Sequence, residues 1–135
     1  SPMLTFSELT YTQHWLVAFV FTQAVEVPIY TLALTRLGGQ LRAPKTEAGP
    51  PLPLSLRLFV AFAASLVTHP VVWFVWPRLV PDYLTMVIGA EAFAVLTEAL
   101  LLHLCGLRWA LPVSLLANGA SLGIGLASRS LFGLP

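Results

Sequence analysis

Three glutamates lie within stretches of the chain that are otherwise apolar. Glu26 belongs to the stretch 15–34, and Glu91 and Glu98 belong to the stretch 83–104. An acid at the centre of a membrane-spanning helix costs about 2.5 to 3.5 kcal/mol on insertion scales. Such residues are candidates for proton transfer or for cation binding, because both tasks use a carboxyl group held away from bulk water.

Two of the apolar stretches repeat a short polar frame. The segments SLVTHP (65–70) and SLLANG (114–119) both read Ser-Leu-x-x-(His/Asn)-(Pro/Gly), which gives His69 and Asn118 equivalent positions. An imidazole exchanges protons near neutral pH, and an amide both donates and accepts hydrogen bonds. We therefore expect one intramembrane site that binds an ion or substrate or relays protons, formed by Glu26, His69, Glu91, Glu98 and Asn118.

Further polar side chains have the spacing of a helix face. Ser114, Asn118 and Ser121 follow an i, i+4, i+7 pattern, which aligns them on one side of a helix. Glu91 and Glu98 are seven residues apart and share a face in the same way. The residues that we expect to support the site are Gln23, Tyr30, Ser114 and Ser121.

The same residues permit two other interpretations. Glu26, His69 and Glu98 are candidate ligands of a divalent cation, since carboxylate and imidazole groups bind zinc, manganese or iron. The spans contain neither an HExxH motif nor a Glu-x-x-His pair, so the pattern specifies no particular metal or cofactor. Alternatively, Asn118 and its neighbouring serines only hydrogen-bond one helix to another.

The elements that must hold these residues follow from composition. The chain is 57% hydrophobic and 10% charged, with a mean hydropathy of +0.82, whereas soluble domains are about 25% charged. Apolar segments at 15–34, 54–76, 83–104 and 109–126 each have the length that spans a bilayer, about 20 residues. Because lipid offers the backbone no hydrogen-bond partners, we predict an all-α, multi-pass membrane domain over residues 1–135, a bundle of four transmembrane helices.

The connections predict the orientation of the bundle. Residues 38–53 are rich in Gly and Pro and are expected to form a flexible cytoplasmic loop. Arg36, Arg42, Lys45 and Arg57 lie in or beside this loop, so the positive-inside rule predicts that both termini are outside the cytoplasm. A net charge of +1, without a clustered basic face, argues against nucleic-acid binding.

Each half of the chain reads as a helix with an acid followed by a helix with the polar frame. Two tandem two-helix repeats would be related by a pseudo-two-fold axis along the membrane normal, with Glu26 facing Glu98 and His69 facing Asn118. Counting 1.5 Å per residue from the predicted helix ends puts Glu26 and Asn118 near mid-membrane, and Glu98 in the inner half. His69 and Glu91 are expected in the outer half.

The motif GASLG, residues 119–123, is a GxxxG pattern within an apolar helix. Small residues at this spacing let helix backbones approach closely, either within one chain or between chains. The expected partners are therefore the lipid bilayer together with a second copy of the chain or a larger membrane complex.

Three functions remain open on the sequence alone. The first is a transporter or channel subunit that moves protons, a cation or a small polar solute, which acids at several depths would serve. The second is an accessory or assembly subunit in which the polar network only specifies helix pairing. The third is an intramembrane enzyme acting on a lipid or membrane-embedded substrate, for which the polar groups would converge within hydrogen-bond reach.

Overall fold

Every element in the described part of the chain, residues 10–37 and 53–132 of a computed structural model, is a helix. Four spans are long and apolar enough to cross a membrane, which confirms the predicted all-α bundle of a multi-pass membrane protein. The predicted loop at 38–53 lies outside the described residues except for Pro53. The helices are α1 (Tyr11–Arg36), α2 (Leu54–Phe74), α3 (Trp76–Leu79), α4 (Tyr83–Leu104) and α5 (Ala110–Phe132).

The first and fourth helices begin at residues that cap them. Thr10 and Gln13 form a capping box, in which each side chain accepts a hydrogen bond from the other's backbone N–H at 3.2 and 2.9 Å. Asp82 accepts from the backbone N–H of Thr85 at 2.9 Å and from its hydroxyl. These bonds hold the pKa of Asp82 below its ordinary value. The cap of α4 is therefore present at neutral pH and is lost only as the pH falls through that lowered pKa.

The four long helices form a ring. α1 packs against α2 and α5, and α4 packs against the same two helices, so α1 and α4 stand diagonally opposite each other. Sequential neighbours are antiparallel, and Tyr11 and Tyr83 therefore mark the same end of the bundle. Two tandem two-helix repeats would produce this order, although the duplication itself stays a prediction.

Small side chains fill much of the interior at the opposite end. Alanines bring the helices close together there, while large apolar residues such as Leu96, Leu100 and Leu116 point outward. Small residues inside and leucines outside suit a bundle whose surroundings are lipid. We call this buried cluster the apolar floor; it comprises Tyr30, Ala33, Leu34, Ala61, Ala64, Ala99, Leu102, Leu107, Ala110, Val113 and Ala117.

The second span is not one continuous helix. α1 and α2 continue across Pro28 and Pro70, but α2 ends at Phe74, and after Val75 the chain resumes as α3 at Trp76. The Trp76 ring lies on α4 at Gly89, where an added Cβ would come within 2.8 Å of the ring. Glycine at this position therefore lets α3 rest directly on α4.

The turn between α4 and α5 closes the other end. Gly106 has φ 92°, a left-handed conformation that glycine adopts without strain, and lets the Leu107 N–H return to the Leu102 carbonyl at 3.0 Å. The Arg108 N–H then donates to the Leu37 carbonyl at 3.1 Å. This bond ties the turn to the end of α1 beneath the apolar floor.

Candidate functional site

Glu98 is the centre of a buried hydrogen-bond network that joins all four long helices. Its Oε1 accepts from the Tyr30 hydroxyl at 2.6 Å and from the Asn118 amide at 3.3 Å, and its Oε2 accepts from the Thr68 hydroxyl at 2.6 Å. Only 1% of Glu98 is exposed, and Tyr30 is completely buried. The carboxyl group therefore has protein donors on both oxygens in place of water.

Glu26 has a second set of donors on the helices that flank it. The Ser65 hydroxyl of α2 donates to Oε1, and the Ser121 hydroxyl of α5 donates to Oε2 at 2.8 Å. Glu26 is 1% exposed, like Glu98. Each buried acid is thus supplied with hydroxyl groups from neighbouring helices.

The Glu26 and Glu98 carboxyl groups also meet. They approach from diagonally opposite helices and are close enough to interact directly. We call them the carboxyl pair. Two carboxyl groups this near to each other repel when both are charged, so a proton or a bound cation stabilises the arrangement. Binding one in exchange for the other is the simplest chemistry that such a pair can perform.

A cavity of about 240 Å³ leads to the carboxyl pair. It runs between the four long helices from Tyr83 and Trp73, near the end that carries Tyr11, down to Glu26 and Glu98. Tyr83 begins α4 fifteen residues before Glu98, a depth of about 22 Å along the helix. The apolar floor lies beyond the pair, so among the described residues the cavity reaches the two acids from the end that carries Tyr11.

Glu91 and His69 line the wall of this cavity above the pair. Glu91 interacts electrostatically with Glu98 and has the same inward orientation, as the seven-residue spacing predicts. Three acids therefore face one space.

His69 lies in an aromatic cluster rather than against a glutamate. Its ring centroid is 5.5 Å from that of Phe19, 6.1 Å from Trp73 and 6.4 Å from Trp15. Nε2 is 3.4 Å from the Thr22 hydroxyl, and Nδ1 has no hydrogen-bond partner within the described residues. The two members of the repeated frame thus have different surroundings, because Asn118 joins the Glu98 network.

The candidate metal ligands are not brought together. Within residues 10–37 and 53–132, no group of three His, Cys, Asp or Glu side chains has the arrangement of a metal site. Glu26 and Glu98 are neighbours, but the His69 imidazole stands apart among aromatic rings.

The expected supporting residues divide into two kinds. Tyr30 and Ser121 donate directly to the two acids. Ser114 instead donates to the Val95 carbonyl at 2.8 Å, and so anchors α5 to α4 beside Asn118. Gln23 donates to the Phe62 carbonyl at 3.1 Å and is absent from the cavity lining. These last two residues hold helices together around the site.

Sequence reasoning missed Thr68. Its hydroxyl makes one of the shortest contacts to Glu98, and only 2% of the residue is exposed. The signal was present, since Thr68 follows Ser65 by three residues and so belongs to the same helix face. The neighbouring His69 was predicted as a site residue instead, because an imidazole is the more obvious functional group.

Two further expectations concerned the relative depth of Glu26 and Glu98 and the GxxxG motif. Glu98 was expected nearer the inner side than Glu26, and this difference in membrane depth stays a prediction, while within the bundle the two side chains are close enough to interact. Gly119 and Gly123 are exposed, with open space around each missing Cβ. The GxxxG motif thus faces away from the bundle, and self-association through it stays a prediction.

Replacing Tyr30 with phenylalanine is expected to lower the free energy of unfolding by about 1 kcal/mol, the usual contribution of one hydrogen bond. The ring still fills the same buried space, but Glu98 loses its 2.6 Å donor. Chemical unfolding in detergent micelles measures the change. Tyr83→Phe is the matched control, because Tyr83 is 64% exposed and should lose nothing measurable.

Searches of protein-family models, curated proteins and solved structures find no match to this chain. The function is therefore argued from the geometry of the site.

Proposed function

We propose that this protein is a proton-linked carrier for a small polar or cationic solute. The observation that supports the proposal is the proximity of Glu26 and Glu98 within a cavity that, in the described part of the chain, reaches them from the end that carries Tyr11. In this interpretation the cavity leads the solute to the carboxyl pair, and the solute replaces a proton there. Release on the other side requires the helices to open through the apolar floor, as in alternating access.

The hydrogen-bond donors fit a site that changes its charge. Hydroxyl groups of Ser65, Thr68 and Ser121 contact the two acids. A hydroxyl group rotates to donate to a carboxylate or to accept from a carboxyl group, so the network can follow the transfer of a proton without moving the backbone. The alanine-rich floor offers little side-chain bulk to hinder helix movement.

Proton flux into proteoliposomes tests the proposal. With K⁺, Na⁺ or an organic ammonium ion trapped in the lumen as the exchanging cation, the purified protein should acidify the lumen faster than empty liposomes when a proton gradient is imposed, and Glu26→Gln should reduce that excess rate by at least about tenfold, or 1.4 kcal/mol of barrier. Glutamine keeps the shape of the side chain but has no titratable proton. A pH-sensitive dye trapped in the lumen gives the rate.

Asp82→Asn is the matched control for this experiment. It makes the same acid-to-amide change outside the cavity, and asparagine caps helices as well as aspartate does. Its flux should equal that of the unchanged protein. Transport would be abandoned if the unchanged protein matched empty liposomes under every gradient, or if Glu26→Gln kept full flux. The latter result, with weakened helix association, would favour an accessory subunit.

An intramembrane enzyme is the second candidate. It is favoured by the convergence of Glu98, Tyr30 and Thr68 within 2.6 Å contacts, since an acid–base site needs groups within hydrogen-bond reach. Incubation with a total lipid extract, followed by mass spectrometry, should then show a time-dependent change that Glu98→Gln abolishes. An unchanged extract would remove this candidate.

We propose that the end carrying Tyr11 and Tyr83 faces away from the cytoplasm. The exposed cations Arg36 and Arg108 lie at the opposite end, as the positive-inside rule requires of the cytoplasmic side. Cys105 also lies there, and burial raises the pKa of its thiol, which slows its reaction with maleimides. It is therefore replaced by alanine before labelling.

In that Cys105→Ala background, a cysteine at Thr12 should react with a membrane-impermeant maleimide in intact cells. A cysteine at Arg108 should react only after permeabilisation. Both original side chains are exposed, so access across the membrane alone decides the outcome. The reverse labelling pattern would invert the proposed orientation.

A further inference from the structure

The cavity contains acids without basic partners. Glu26, Glu91 and Glu98 all line it, and its described lining includes no Lys or Arg. The remaining titratable groups on its walls are His69 and Tyr83. A recess whose walls carry charge of one sign concentrates ions of the opposite sign, so this cavity attracts cations and repels anions.

The space is larger than a bare ion needs. A volume of about 240 Å³ corresponds to about eight water-sized groups of about 30 Å³ each. The described acids and His69 also lack the convergence of a metal site. The space is therefore large enough for a molecule with carbon groups of its own.

Aromatic side chains line the upper part of the cavity. Phe21, Trp73 and Tyr83 contribute to the wall on the way to the acids, together with apolar residues such as Leu122. Faces of aromatic rings attract ammonium groups, most strongly where water is excluded. The aromatic wall can therefore contact an ammonium group that moves along the cavity, and also the carbon groups bonded to that ammonium nitrogen.

We propose that the site binds a small organic cation, a protonated amine or a quaternary ammonium compound of about eight non-hydrogen atoms. Its charge lies at the carboxyl pair and its carbon groups extend up the cavity toward Phe21, while Trp73 and Tyr83 line the route by which it enters. Glu91 stands about 10 Å above Glu98 along α4 and attracts the cation on its way down. This inference rests on the proposed function, because the cation is the solute that replaces the proton.

Matched ligands of one shape test the sign of the charge. Choline, the neutral 3,3-dimethylbutan-1-ol and the anion 3,3-dimethylbutanoate form one set, and cyclohexylamine with cyclohexanol forms a second. Calorimetric titration of the purified protein in detergent at neutral pH should show each cation binding at least about tenfold tighter than its neutral counterpart. The anion should not bind.

Two variants locate the binding. Glu91→Gln and Phe21→Leu should each weaken choline binding several-fold, whereas Asp82→Asn, outside the cavity, should leave it unchanged. A fold defect would not produce this pattern, since it would equally affect the alcohol, so the ratio of the two affinities is the deciding quantity. An unchanged ratio in both variants would overturn the assignment of the cation to this cavity.

The inference fails if both cations bind no better than their neutral counterparts, or if Na⁺ or Ca²⁺ binds and choline does not. Proton flux is measured with K⁺ and Na⁺ as well as with the ammonium ligands in the lumen, so the two proposals fail separately. Normal flux that depends on Glu26, without choline binding, would overturn the organic cation alone. Choline binding without such flux would overturn the proton-linked carrier.

Discussion

Replacing Glu98 with alanine is expected to destabilise the bundle by about 3 kcal/mol. Tyr30, Thr68 and Asn118 donate hydrogen bonds to this carboxyl group. In the alanine variant these three buried donor groups lose it as their acceptor. A buried donor that loses its acceptor costs about 1 to 3 kcal/mol, although hydrogen bonds between membrane helices average only about 0.6 kcal/mol. Reversible unfolding in mixed micelles measures the difference.

Glu98→Gln separates the structural contribution from the chemical one. The amide oxygen still accepts a hydrogen bond and the hydroxyl groups can turn to accept from its nitrogen, so the stability should change by no more than about 1 kcal/mol. Proton flux should nevertheless fall at least about tenfold, because the amide has no titratable proton. Leu96→Ala, at a 61% exposed position of the same helix, should alter neither quantity. Equal stability losses in Glu98→Ala and Leu96→Ala would contradict the network.

Replacing Ala64 with leucine is expected to be at least as damaging, at about 3 kcal/mol or more. Ala64 is completely buried in the apolar floor, where α2 meets its neighbours. Because Ala64 has no exposed surface, three added carbon atoms press against the adjacent helices, so α2 is pushed outward and the close packing is lost. The yield of monodisperse protein in size-exclusion chromatography and its melting temperature report the effect.

Ala24→Leu makes the same change on the lipid-facing side of α1. Ala24 is exposed, so the larger side chain meets only lipid or detergent and should change the free energy of unfolding by no more than about 0.5 kcal/mol, which leaves the melting temperature nearly unchanged. If both leucine variants melted together with the unchanged protein, the alanine-based packing of the floor would be wrong.

Composition and segment length predicted the helices well, because lipid leaves the backbone few alternatives. α4 occupies the predicted span, 83–104. The break at Val75 was not predicted, since it depends on Trp76 reaching across to Gly89, a contact between two helices. Periodicity within one segment carries no information on such contacts.

The sequence likewise predicted some features of the site and not others. Glu26 and Glu98 were identified from depth alone, because acids in apolar stretches are costly wherever the helices stand. Their meeting, and the donation by Thr68, depend on the rotation and vertical offset of the helices. The pattern gave His69 and Asn118 the same weight, but His69 packs among aromatic rings while Asn118 bonds to Glu98. A repeated frame predicts equivalent positions and not equivalent neighbours.

The apolar floor also determines where membrane voltage acts. From Glu98 to the end of α4 at Leu104 the floor is about 9 Å thick along the helix, whereas the cavity above the pair extends about 22 Å. Where water fills the cavity, most of the electric field falls across the thin floor. A charge that leaves the pair through it therefore crosses most of the potential, about 2.3 kcal/mol per 100 mV, and a charge that leaves through the cavity crosses little of it.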